Sequence, residues 1–449
     1  MSIIPRLNRF DLTMIVISLV IGMGIFANPS EVAVRAGSTW VFFGAWIFGG
    51  LVTLCGALTF AEIGARYPHT GGFYKVFSYC YHPAFAFMIN WVLVISNAAS
   101  VAVVAIIGAN YINPVLLPAD WQGPAGVKIM AISSVLILYA LAFMGIKVSA
   151  RTQNLLTLFK VLAIVVLCAA VFMHDDTHVI VKGVPHTGNL ITAFGLSLVA
   201  IFFTYGGYQQ TINFGGDIIE PKKNIPKAIG MGIGVVILLY LSINFAYYKI
   251  LGLGGLQQTT TLAATMAGVI FGSIGSKVAS VLMFVSVLAY INVNVMSNPR
   301  VYYAMSEDGI LPYIFRKVNP KTQVQEFGVT FFVLCILVVL FFADSFRNML
   351  NYVMFFDTIG LSLAALSIFI LRKRTKELDS TGIYTIKWFP LVPIIFILSY
   401  WFVTINIFWA SPKAAFVCLA VFAVGLAIYY ASVYLNKGKL PVDGDGTGK

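Results

Sequence analysis

The chain has 449 residues, of which 59% are hydrophobic and only 10% charged, and its mean hydropathy is +0.89. A soluble globular domain carries charge on about a quarter of its residues, so this composition excludes one and indicates a polytopic membrane protein whose standing partner is the lipid bilayer. The net charge of +12 does not point to nucleic acid, because the basic residues sit in short segments between apolar runs and there report orientation.

Residues 1–11 form a short tail in which Arg6 and Arg9 precede the first apolar run. Asn28-Pro29-Ser30-Glu31 stands where a signal peptide would need a small-residue cleavage site, so the run reads as a retained first span. Runs of spanning length, about 20 residues each, are expected at 12–35, 39–65, 84–112, 126–146, 153–173, 190–215, 228–249, 276–304, 327–343, 349–371, 388–409 and 413–435. The stretch 252–276 is broken by glycine and threonine and reads as an outer loop with a short surface helix. Residues 436–449 make a glycine-rich tail, too short for a signalling domain. Twelve spans put both ends on one side. Of the 29 lysines and arginines, 21 fall in segments on that side and 7 on the other, with Lys160 left inside a span. The positive-inside rule then predicts cytoplasmic termini in a cell (inner) membrane.

Two of the runs contain weak points. Ile21-Gly22-Met23-Gly24-Ile25-Phe26 puts two glycines into the first span, and Tyr205-Gly206-Gly207-Tyr208 does the same in the sixth. Glycine costs a helix interior roughly 1 kcal/mol relative to alanine, and loose backbone at membrane depth is tolerated only where it lines a cavity. Five spans separate the two starts. An odd number reverses direction, so the units 12–173 and 190–372 form an inverted repeat, with helices 11 and 12 (388–435) outside it and peripheral. The expected fold is therefore all-α and polytopic, with twelve transmembrane helices, a five-plus-five inverted repeat and discontinuous helices 1 and 6. Open amides and carbonyls at two such breaks suit a small zwitterion.

Ionisable and polar residues inside spans are expensive and usually functional. Lys160 lies within span 5 and Asp357 within span 10. Asp357 could pair with Lys160, accept a proton, meet a substrate amine, or face a solvated outer vestibule. Span 8 presents Ser286, Asn292, Asn294 and Ser297, and span 7 carries Tyr240 and Asn244 at i and i+4. Glu62, Arg66, Asp217, Glu220, Arg300 and Asp308 fall at cytoplasmic span ends, as gate latches or as solvated loop charges. The five cysteines are scattered singly and read as packing residues. No phosphate loop, nucleophile-and-base set or metal-ligand spacing occurs, so neither an enzyme nor a cofactor or metal protein is indicated. His174, His178 and His186 share an outer loop with Asp175 and Asp176, which reads as solvated.

Several separated motifs, in register, resemble those of the amino acid/polyamine/organocation transporter superfamily, nearest its L-type and related amino acid carriers. They are Gly22-Met23-Gly24-Ile25-Phe26, Ala61-Glu62-Ile63-Gly64-Ala65-Arg66-Tyr67-Pro68 with Gly71-Gly72-Phe73-Tyr74, Phe203-Thr204-Tyr205-Gly206-Gly207-Tyr208, and Pro299 to Met305 continuing through Asp308 to Pro312. The resemblance implies that amides and carbonyls around Gly22, Met23, Gly24 and Ile25, with Phe203, Thr204 and Tyr205, hold the amino acid. It implies that Phe203 closes over substrate, and that Tyr208 stands where tryptophan is common in the outer gate. Tyr240 and Asn244 resemble positions beside the substrate, while helical spacing puts Ser286 and Asn294 on one face of span 8, toward the site. It further implies that Lys160 replaces a bound sodium ion, with Ser286 and carbonyls near Gly22 as partners.

The function expected is a sodium-independent amino acid transporter working by alternating access, as an exchanger or uniporter of neutral amino acids. A proton-coupled symporter using Lys160 and a carrier of cationic amino acids or polyamines stand as alternatives. A channel would need a continuous polar pore.

Overall fold

In lipid a single segment satisfies all its backbone groups only as a helix. The computed structural model describes residues 4–173, 189–259, 261–342, 346–410 and 412–435, and among these the regular structure is helical, with no strand. The first apolar run becomes two helices, α1 (Arg9–Val20) and α2 (Gly24–Ala36). There follow α3 (Thr39–Arg66), α4 (Gly72–Cys80), α5 (Pro83–Leu116), α6 (Pro124–Ala142), α7 (Ile146–Ala170), α8 (Leu190–Tyr205), α9 (Pro221–Gln258), α10 (Leu262–Glu307), α11 (Glu326–Phe342), α12 (Phe346–Arg374), α13 (Leu391–Ala410) and α14 (Pro412–Leu435). Ten stretches among the described residues are long and apolar enough to cross a membrane, and Glu326–Phe341 and Ala420–Ala431 are shorter apolar helices. The protein is a multi-pass membrane protein.

Local chemistry sets several boundaries. Asn8 and Asp11 form a reciprocal capping box at the start of α1, and Ser38 accepts from the Val41 amide at the start of α3. The stretch 252–276 carries more helix than the short surface helix expected: α9 reaches Gln258 and α10 begins at Leu262, with the chain turning at Gly252 (φ 65°) and Gly272 (φ 70°), left-handed conformations that glycine adopts without a Cβ clash. Leu256, Leu262 and Met266 are buried there, which is why the helices persist. Span 5 begins earlier than its hydropathy suggests, because the first turns of α7 carry Lys147 and Arg151.

Two groups of helices pack against each other. In one, α3 and α9 lie side by side, α2 runs along α8, and α1 lies on α9. In the other, α5 pairs with α10 and α6 with α11. α7 touches both α1 and α10, while α12 touches both α8 and α5. α13 packs on α12, α3 and α8. The outer-loop group His174, His178, His186, Asp175 and Asp176, and the tail 436–449, lie outside the described residues.

Candidate functional site

The first break occupies Ile21 to Met23. Gly22 N donates back to Val20 O at 2.8 Å, and Phe26 N reaches only Met23 O at 3.0 Å. The amides of Met23, Gly24 and Ile25, the first of α2, donate to no described acceptor. They form an open helix N-terminus at the depth of the bundle, an arrangement that attracts anions. A Cβ on Gly24 would stand 2.9 Å from Thr204 Oγ1 and 3.0 Å from Thr204 Cα, so only glycine lets α2 approach α8 this closely. Asn28 Nδ2 donates to Thr204 Oγ1 at 2.7 Å and fixes the same approach.

The second break is sharper than a paused helix. After Tyr205 the chain passes Gly206 and Gly207 and continues as 3-10 turns, Tyr208–Asn213 and Gly215–Asp217. Gly207 has φ 109°, and a Cβ there would stand 2.2 Å from Leu19 O, so the turn is pressed directly against the end of α1. The Tyr240 hydroxyl lies between Val20 O at 2.9 Å and Thr204 O at 3.1 Å and donates to these two terminal carbonyls. Lys160 ties the break from the other side: its ammonium donates to Ser18 Oγ at 3.1 Å and to Ile21 O. The α7 face that carries it also buries Ser149, Gln153 and Thr157, and Asn292 of α10 donates to Gln153 Oε1 at 2.7 Å.

Between the breaks and the α5–α12 wall opens a cavity. Gly22, Met23, Gly24, Phe203, Thr204, Asn97, Tyr290 and Asp357 are among the residues that line it. A second cavity adjoins it and shares Asn97, Gln209, Gln210, Asp357 and Leu361. A helix N-terminus with free amides faces this space together with the C-terminal ends of α1 and α8, so one wall offers donors to an anion beside carbonyls for a cation.

The family model described as amino acid permease matches residues 7–434. The chain belongs to the amino acid permease family. The permease is thus a membrane carrier and not an enzyme. It is 30% identical over 429 residues to the serine/threonine exchanger SteT of Bacillus subtilis, covering 94% of this chain and 95% of that protein. It is 25% identical over 431 residues to the large neutral amino acids transporter small subunit 2 of Mus musculus, covering 94% of this chain and 79% of that protein. With the human cystine/glutamate transporter it shares 25% identity over 435 residues, covering 94% and 84%.

Of the residues singled out from sequence, Gly22, Met23, Gly24, Phe203 and Thr204 line the permease cavity. Ile25 contributes its amide while its side chain is buried. Tyr205 turns away, its ring packed on Trp46 and Tyr240. Tyr208 is buried against Phe60, and its hydroxyl reaches the space above Gly56. Tyr240 positions the break from behind rather than lining the cavity. Asn294 donates to Tyr290 O at 3.0 Å, within its own helix. Ser286 donates to Leu282 O at 3.0 Å, and the described partners of the Lys160 ammonium are Ser18 Oγ and Ile21 O, the latter a carbonyl beside Gly22. Asp357 faces the central cavity and not an outer vestibule, and it does not pair with Lys160.

Sequence reasoning passed over Ser96, Asn97 and Ser100 on α5, Gln209 and Gln210 after the second break, and Tyr290 and Tyr400. Ser96 and Ser100 stand one helical turn apart in an apolar run, the same signal that drew attention to span 8. Tyr400 gave none.

The charges at the far end of the bundle are built in. Glu62 accepts from Arg66 Nε at 2.6 Å, Arg372 Nη2 at 2.7 Å and Ile386 N at 2.8 Å. Arg300 grips Asp217 through Nε at 2.7 Å and Nη2 at 3.0 Å, both groups buried, with the Phe214 ring 4.4 Å from the guanidinium. Lys75 meets Asp308 at 2.5 Å. Glu220, paired with Lys223 at the surface, is the solvated member of the set. In the loop after α3, burial and the neighbouring Lys75 hold His69 below the ordinary imidazole value, against the opposing pull of Glu307 and Asp308. Asp379 is held below the usual carboxylate value by its hydrogen bond from Arg66.

Proposed function

We propose that the permease is a secondary carrier that moves one α-amino acid by alternating access, without sodium, as an exchanger or uniporter for neutral amino acids. The observation that carries this reading is the set of unpartnered amides at Met23, Gly24 and Ile25 opening on a cavity beside the carbonyl ends of α1 and α8. A zwitterion satisfies both at once: its carboxylate takes the amides and its ammonium the carbonyls. Phe203, half-buried on the cavity wall, closes over the bound molecule. The name of the exchanger SteT supports exchange as the mode.

A twelve-span, five-plus-five inverted arrangement is supported by the packing. Shifting every span by five carries α2 onto α8, α3 onto α9, α5 onto α10 and α6 onto α11, and each of these pairs is in contact. The same shift turns the α7–α1 contact into α12–α8, and α7–α10 into α12–α5, both of which exist. The basic excess puts the termini in the cytoplasm of a cell membrane. Sodium independence rests on Lys160, whose ammonium already neutralises the carbonyl that a bound cation would take.

Counterflow tests the proposal: proteoliposomes preloaded with unlabelled amino acid should accumulate external labelled amino acid equally well in sodium and in choline. No counterflow for any amino acid, or a requirement for sodium, would overturn it. One observation favours proton coupling as a second reading. Both described acceptors of Lys160 are neutral, so releasing its proton strands no carboxylate. Concentrative uptake driven by an imposed pH gradient distinguishes that reading from simple exchange.

A further inference from the structure

The wall of the cavity away from the two breaks has its own chemistry, contributed by α5, α12 and the turn after α8. Asp357 is half-buried there and lines both cavities. Its described hydrogen bond is from Ser96 Oγ at 3.5 Å, the outer limit of such contacts, and no cation stands against it among the described residues. Lys160 spends its ammonium on α1.

The amide side chains beside it make their described hydrogen bonds elsewhere. Asn97 Nδ2 donates to Asn298 Oδ1 at 2.7 Å, and Asn97 Oδ1 accepts from Gln210 Nε2 at 3.4 Å. That leaves Gln210 Oε1 buried with no partner. A carboxylate facing the cavity and an amide oxygen buried in the same wall thus have too few donors around them. An acceptor left unsatisfied at this depth is costly, more so when charged. A ligand that brings donors relieves that cost.

We propose that Asp357, with Gln210, reads the substrate's side chain and selects amino acids whose side chain carries a hydrogen-bond donor, a hydroxyl or an ammonium. This rests on the reading of the amide and carbonyl ends as the holder of the amino acid backbone, which turns the side chain toward α5 and α12. A purely apolar side chain leaves both acceptors unpaired, and an acidic one adds a third acceptor. Sites built to pair a substrate donor reject the analogue that lacks it far more strongly than apolar pockets reject an added hydroxyl.

The test is competition for uptake into proteoliposomes by matched pairs of equal size and shape. In the wild-type permease threonine should compete at least about ten-fold better than valine, ornithine better than norleucine by a similar factor, or both. The two pairs separate a hydroxyl from an ammonium as the donor. In Asp357→Ala the threonine-to-valine ratio should collapse toward one. In Asp357→Asn, which keeps the shape and an acceptor, the ornithine advantage should vanish while threonine keeps most of its own. Each ratio is read within one variant, so a general loss of transport cancels, and the isosteric Asn variant covers a failure of the Ala variant to fold. Wild-type protein that prefers neither donor, or variants that keep the wild-type ratios, would overturn the proposal. If no amino acid of any kind competes, the backbone site fails first, and that outcome is distinct.

Discussion

Lys160 is fully buried, and its ammonium holds the one peptide carbonyl that the first break leaves pointing into α7. Lys160→Ala removes the donor from Ile21 O and leaves Ser18 without its ammonium partner, so the break loses its tie to α7. Counterflow should fall by at least about ten-fold, the equivalent of one lost charged hydrogen bond, with the protein still inserted in the membrane; wild-type counterflow would reduce the lysine to a packing residue. His69 gives a second prediction. Its folded value lies below 6.5, so the unfolded chain binds the proton more readily, and stability must decline as pH drops below about 6.5. Thermal unfolding in detergent between pH 7.5 and 5 should show that decline, and His69→Gln should flatten it; an identical slope in the variant refutes the assignment. These two residues also mark what single positions reveal. A lysine inside an apolar run announces itself by its cost, and a glycine by its rarity in helices. A tyrosine among 21 does not announce which way its ring turns, and Tyr205, Tyr208 and Tyr240 all went to packing or positioning rather than to the cavity surface. Asn97, a polar side chain inside an apolar run, carries the same sequence signal as the asparagines of span 8.

At the level of elements, hydropathy located the spans because lipid leaves a chain so few alternatives. It failed where tertiary contact overrules composition. In the glycine- and threonine-rich stretch 252–276, α9 persists to Gln258 and α10 begins at Leu262 because Leu256, Leu262 and Met266 find a buried surface, while the chain turns at Gly252 and Gly272. α4 went unseen because its nine residues are too few to span. The second break resolved into 3-10 turns, which have no periodicity of their own to detect. The first break is stricter, since α2 can lie on α8 only while position 24 has no side chain. Gly24→Ala places a methyl group against Thr204 backbone, and overpacking of this kind costs about 1–3 kcal/mol. Amino acid affinity should drop by about ten-fold or more, measured by scintillation proximity, while Gly230→Ala, whose Cβ meets open space, should bind as wild type. Equal affinity in both variants would mean that the close approach of α2 to α8 does not shape the site.

For the molecule as a whole, what matters is which ties cross between the two helix groups. At the end where α3 and α10 finish, Asp217, just beyond α8, is held by Arg300 of α10, and the backbone of the same aspartate accepts from Arg6 and Leu7 of the N-terminal segment. Gly71 N donates to Asn213 O at 2.9 Å and Phe73 N to Asn213 Oδ1 at 3.0 Å, closing the same seam. At the opposite end Arg35 donates to Leu196 O and Gln257 to Ala33 O, both within one group. A carrier that alternates access must break one seam to open one side, and the Asp217–Arg300 pair is the strongest charge contact across this one. Removing one partner of a buried pair leaves the other uncompensated, at about 3–5 kcal/mol, so Asp217→Asn should favour the state in which the seam is open. Val301 lines the second cavity just behind the pair. In a background with the native cysteines replaced, Val301→Cys should react faster with a membrane-impermeant maleimide once Asp217→Asn is added. Saturating substrate should change the rate in both proteins, because binding biases the same equilibrium. If Asp217→Asn lowers thermal stability but leaves the labelling rate untouched, the pair is a structural staple, and the gate must be sought instead in the amide chain that runs from Gln210 through Asn97 to Asn298 between the two cavities.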